Sequence, residues 1–177
     1  MPETPARIQV RLVNLLQLFN SMDPSPFLER DIDADAEEFI ISWARELPKS
    51  RDLELVIHLQ EAPKHDRTES VEKAVRHYFQ ERAALKYLEF RKLMRQGRTS
   101  LMIGLLFLTA CLLASEIAGK IEFSTAAGIL KEGLTIAGWV AMWRPLEIYL
   151  YDWWPLRDEW RLLERLALIK TTLVIPS

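Results

Sequence analysis

One cysteine, three histidines, six glycines and a formal charge of only −2 are spread over the 177 residues. A single cysteine excludes an internal disulfide framework and any multi-cysteine zinc site. The near-cancelled charge and ordinary composition exclude a collagen-like chain and a strongly basic nucleic-acid-binding one, so no nucleic acid is expected as partner. His58, His65 and His77 lack metal-ligand spacing, and His58 falls in a strand-like run. HExxH, GxSxG, the P-loop and GxGxxG are all missing, so no catalytic residue, cofactor or metal is assigned and the reading leans against an enzyme without excluding one. The most informative shortage is local. Between Arg98 and Lys120 the only charged residue is Glu116, whereas the first 98 residues are dense in both signs.

Leu101 to Gly119 reads LMIGLLFLTACLLASEIAG. At 1.5 Å per residue a helix of this length reaches roughly 28 Å, close to the thickness of a bilayer's hydrocarbon core. The run lies mid-chain, and the N-terminus lacks the charged, apolar, small-residue order of a signal peptide. Cys111 falls in the middle of the run with no basic neighbour to stabilise a thiolate, which suits inert packing.

A second apolar stretch, Gly133 to Tyr151, carries Arg144 and Glu147. Ala110, Ala114 and Ala118 repeat every four residues in the first stretch, as do Gly133, Ala137 and Ala141 in the second. Such stripes let neighbouring helices approach closely. Folding the chain back about position 125 sets Ala118 against Gly133, Ala114 against Ala137 and Ala110 against Ala141. The expectation is a two-helix transmembrane hairpin with spans at about 101–119 and 133–151. Lys86, Arg91, Lys92, Arg95 and Arg98 crowd the approach to the first span, against Glu89; the connection carries Lys120, Glu122 and Lys131. The basic excess places both termini in the cytoplasm. Trp139, Trp143, Tyr149, Tyr151, Trp153 and Trp154 gather around the second stretch, in keeping with an interfacial aromatic belt.

Before the membrane, Arg7–Val13 alternates as a half-buried strand, and LELVIHL at Leu53–Leu59 reads as a central one. Between them, Ala36, Phe39, Ile40, Trp43, Ala44 and Leu47 give a helix from about Asp33 that Pro48 stops, with Asp33 or Asp35 as cap. Asp31, Asp33 and Asp35 resemble the start of a calcium loop, but Ala36 and Ser42 stand where glycine and a bidentate glutamate belong, so capping explains them better. Strand, helix and strand predict a βαβ unit. A long helix from near Glu69, with Val71, Val75, Tyr78, Leu85 and Leu88 on its apolar side, runs toward Arg98 and into the first span, Gly97 being its weak point. After Pro155 come an amphipathic helix and a strand-like run, Thr171–Ile175, which returns to the first sheet.

The expected fold class is thus an α+β membrane protein: an αβ domain with a long helix at 1–98, a helical hairpin at 99–154, and an amphipathic helix and strand at 155–177. Two charged groups stand out as sites. Glu116 with Lys131 could line a polar path or bind an ion; alternatively Glu116 reaches the outer interface or pairs structurally. Arg144 and Glu147, one turn apart around Pro145, could gate a pore or bind a lipid phosphate; alternatively Pro145 ends the membrane helix and Arg144 snorkels.

The stretch EGLTIAGWVAMWRPLEIYLYDWWPL from Glu132 to Leu156, with LFNSMDPSPFLERDID near the N-terminus, resembles an uncharacterised family of small bacterial two-span membrane proteins with a cytoplasmic αβ domain. The resemblance implies a bacterial inner-membrane setting, a multi-pass chain, and no activity or site residues to carry over. The functional expectation is a non-enzymatic, membrane-anchored interaction or sensory module that self-associates. The alternative is a homo-oligomeric channel or transporter subunit with a pore lined by the second span. Lipid is the expected partner, and the sequence names no protein partner.

Overall fold

A computed structural model of the chain describes residues 5–61, 68–120 and 125–175; His65 and Glu122, noted above, lie outside the described residues. The chain divides into two compact units, Met1–Tyr87 with Asp158–Ser177, and Leu88–Arg157.

The first unit is built on three parallel strands in the order β1 (Ala6–Leu12), β2 (Leu53–Leu59), β3 (Lys170–Val174). Strand β1 buries Ala6, Ile8 and Val10 and turns Arg7, Gln9 and Arg11 to solvent, the period of two expected of a strand with one wet face. The central β2 buries Val56 on its second face as well, because it has a neighbour on each side. Helix α1 (Ala34–Glu46) starts at Asp33, whose side chain accepts from the Asp35 N–H at 3.1 Å, and it ends before Pro48. Its core face is Ile40 and Ala44. Phe39 and Trp43, expected on that face, fall at its flank and remain 41% and 46% exposed.

Helix α2 (Thr68–Gly119) runs unbroken through Gly97 for 52 residues. Its first part buries Val71, Ala74, Val75, Phe79 and Ala83 in the core, whereas Leu85 and Leu88, expected on the apolar side, are exposed. Helix α5 (Trp153–Ala167) adds Leu162, Leu163, Leu166 and Ala167, and Arg165 donates to the carbonyl oxygens of Pro48 and Arg51 at 3.0 and 3.1 Å. Across the sheet, Glu54 accepts from Arg7 at 2.9 Å and from Thr172 at 3.1 Å, so one carboxylate ties all three strands.

The second unit holds the distal part of α2, then α3 (Thr125–Ala141), α4 (Trp143–Glu147) and a π-helical turn, Ile148–Asp152. Here the two-span expectation is overturned. Among the described residues one helix, α2, is long and apolar enough to cross a membrane, and the second apolar stretch is not a single helix. Its helix begins at Thr125 and ends at Ala141 after 17 residues, with Lys131 and Glu132 inside it rather than at its mouth. Pro145 supplies the reason: its ring clashes with the carbonyl four residues back, that of Ala141, and it has no N–H to donate. Met142 makes the turn, and a short helix and a π turn follow. Helix accounts for 70% of the structure, so the chain is a mainly helical protein with a small parallel sheet, not the α+β two-span arrangement expected.

Within this unit the buried positions of α2 are Gly97, Gly104, Leu108, Cys111, Ser115 and Ala118. They are seven, four, three, four and three residues apart, the spacing of a left-handed helix seam. Facing them are Gly138 and Ile148, also buried, and Pro145 between these two is buried as well. The contact is close. A methyl group added at Gly138 would lie 2.9 Å from Leu108 Cδ1, one at Gly104 would lie 3.0 Å from the Ala141 carbonyl oxygen, and one at Gly97 would lie 2.9 Å from Ile148 Cγ2. The four-residue stripes expected from sequence meet differently. Ala118 is buried, Ala114 and Ala141 are half-buried, and Ala110, Ala137 and Gly133 are exposed, Gly133 with open space around it. The register is also shifted, since Ala141 lies beside Gly104 and not beside Ala110.

Candidate functional site

The charged group singled out after α3 is larger than its sequence signature. The Arg144 guanidinium donates from one nitrogen to Glu147 Oε2 and to Asp152 Oδ2, each at 3.2 Å, and Trp143 Nε1 donates to Glu147 Oε1 at 2.9 Å. Asp152 and Trp143 were not foreseen as members. In a regular α-helix eight residues rise about 12 Å, beyond easy side-chain reach. The π turn at Ile148–Asp152 widens the backbone and shortens that rise, which brings Asp152 to Arg144. Nothing in the local sequence announces a π turn, so pattern reading stops at Glu147.

This geometry limits what the cluster can do. One cation stands against two carboxylates, an excess of negative charge, with all three side chains between about a third and a half exposed. A phosphate would have to displace a carboxylate from Arg144 and then face the second one. The arrangement orders the chain where it leaves α3, and its chemistry does not favour anion capture. Pro145 is buried and Arg144 beside it is exposed.

The structure does not bring Glu116 and Lys131 together as an ion pair. Both are exposed, and the Lys131 stem packs by Gly119 instead. The hydroxyls of the apolar segments turn back on their own helices: Thr109 to the Leu105 carbonyl at 2.8 Å, Ser115 to Leu112 at 2.8 Å and Thr135 to Lys131 at 2.9 Å. That is how a polar group satisfies itself where water is scarce.

In the first unit a second polar cluster links α1 to α2. Tyr78 Oη donates to Glu37 Oε2 at 2.8 Å, and Arg82 reaches Glu37 Oε1 at 2.7 Å. Burial and the Glu37 carboxylate push the Tyr78 hydroxyl well above its ordinary range, and the same carboxylate raises Arg82. The tyrosine therefore stays protonated, as a structural donor and not an acid–base group. An open cleft of about 960 Å³ lies between the Gln80–Tyr87 part of α2 and the Asp158–Ala167 part of α5 with Leu168 just beyond it, and Ala83, Ala84 and Ala167 are among its lining residues. Its rim mixes signs, with Lys49 paired to Asp158 at 3.3 Å. His58 Nε2 is enclosed without a hydrogen-bond partner, and among the described residues no cluster of three metal-ligating side chains occurs. Asp33, at the acidic run, is occupied as a helix cap.

Compared with family models, curated proteins and solved structures, the chain matches none. The resemblance drawn from residues 132–156 and the N-terminal segment finds no counterpart in those comparisons.

Proposed function

We propose that the chain is a membrane-anchored interaction module: an αβ unit of three strands held at a bilayer by the apolar part of α2. The observation that carries this reading is the exposure of that part. Its most apolar 18-residue window has a mean hydropathy of 2.2 and only 22% of it is buried. A core helix of a water-soluble protein would be mostly covered. Here Met102, Ile103, Leu105, Leu106, Leu113 and Ile117 all stand exposed, and so do Ile129, Ile136, Trp139 and Val140 on α3. Such a surface is costly in water and at no disadvantage in lipid.

Two further features support the placement. Strand β3 pairs with β2 in the sheet that also holds β1, so the segments before and after the apolar unit belong to one folded unit. The basic residues ahead of Leu101 favour the cytoplasm for that unit. The pore reading is weaker, because Arg144 is neutralised by Glu147 and Asp152 and is not left to line a path.

The number of chains per particle in lipid nanodiscs tests the associative part of the proposal. Self-association predicts two or more chains per disc when protein is limiting. One chain per disc at every protein-to-lipid ratio would contradict it and would also remove the homo-oligomeric channel.

A further inference from the structure

We infer that the face of α2 formed by Lys92, Arg95 and Arg98 is a binding surface for anionic lipid headgroups. The inference rests on the membrane-anchored reading above and adds to it a ligand class. At about 100° per residue, these three side chains fall within an arc of about 120° centred opposite Gly97. Gly97 is the residue packed against Ile148 and Tyr149, so the basic face points away from the seam. All three are exposed and, among the described residues, none meets a carboxylate. Arg91 shares the face with an interaction of its own.

Six basic residues elsewhere differ from that pattern. Arg7, Lys49, Lys73, Arg76, Arg82 and Arg144 are each held by an acid. Arg98 stands three residues before Leu101, where the apolar run begins. The level is marked independently by aromatic side chains of the same unit. A methyl group added at Gly97 would lie 3.3 Å from Tyr149 Cζ, and Trp143, Tyr151 and Trp154, on the segments around it, are more than half exposed. Exposed Trp and Tyr beside the end of an apolar helix mark the headgroup zone. Three unpaired cations at that depth meet phosphates of the lipid surface, and each is worth up to about fivefold in affinity at low ionic strength.

The test is electron spin resonance of the full chain in phosphatidylcholine bilayers carrying traces of spin-labelled lipid. The fraction of label immobilised at the protein surface is compared for phosphatidylglycerol and phosphatidylcholine. The expected result is a several-fold preference for phosphatidylglycerol that falls toward one in the Lys92→Gln, Arg95→Gln, Arg98→Gln triple variant, and falls likewise in about 0.5 M salt. Arg95→Lys with Arg98→Lys keeps the preference, since charge and not the guanidinium fork is what counts. An undiminished preference in the triple variant overturns the inference. So does loss of the preference to inorganic phosphate at constant ionic strength, which would indicate a discrete anion site. Immobilised lipid with no headgroup preference sinks this inference alone; no immobilised lipid of either kind sinks the membrane-anchored reading with it.

Discussion

Gly104 and Gly138 contribute by having no side chain. Each sits where the facing helix comes so close that a methyl group would press on the Ala141 carbonyl oxygen or on Leu108 and Cys111. Gly104→Val or Gly138→Val should therefore lower stability by about 1–3 kcal/mol through overpacking. Gly133→Ala meets open space and should be neutral or stabilising by up to about 1 kcal/mol, because alanine favours helix. Thermal unfolding in detergent measures both, and equal losses at the three positions would contradict the seam. Glu54 gives a prediction in pH. The Arg7 hydrogen bond, aided by Thr172, holds its carboxyl below the ordinary value of 4.5. A lowered folded-state value means that the stabilisation is complete above about pH 4.5 and is lost as pH falls through the folded value. Glu54→Gln should cost about 1 kcal/mol at neutral pH, discounted because Arg7 is 63% exposed, and should flatten the acid limb of the unfolding curve. An unchanged acid limb would mean that the three-strand tie carries no stability.

At the scale of elements, alternation and spacing were enough to read β1, α1, β2, the long α2 and the strand after α5 from the sequence. Each is set by a local rule: period two in Ala6–Leu12, an Asp33 cap, a Pro48 stop. Two features were not legible. Counting apolar residues from Gly133 to Tyr151 gives a span, yet the helix starts at Thr125 and is ended by Pro145 acting on Ala141; hydropathy does not weigh a backbone clash. The stripes of Ala110, Ala114 and Ala118 and of Gly133, Ala137 and Ala141 suggested a four-residue seam. The close approaches instead follow sevens through Gly97, Gly104, Cys111 and Ala118, a period that shows only when the facing residues are known. Pro145→Ala should let α3 continue past Ala141 and pull Asp152 away from Arg144. Amide hydrogen exchange would then slow at Met142–Glu147, and unchanged exchange there would assign the break to packing and not to the proline.

At the scale of the whole molecule, 52 residues of α2 join a water-facing core to a segment whose outward side chains are leucine, isoleucine, methionine and phenylalanine. The first unit is an ordinary solution to burial, with its sheet closed by a strand that arrives from the far end of the chain. The second unit leaves its apolar side chains exposed, and the proposed function makes lipid their solvent. That is the central claim, and exposed Leu106 and Leu113, at 71% and 58%, allow it to be tested without touching either core. The measurement is alkaline carbonate extraction of membranes from cells making the wild-type chain or the Leu106→Asp, Leu113→Asp variant. In water such exposed substitutions are almost free, whereas in a bilayer each carboxylate costs about 2.5–3.5 kcal/mol. The account predicts that the wild-type chain stays with the membrane pellet and that the double variant is released. Release of the wild-type chain, or identical retention of both, would contradict it.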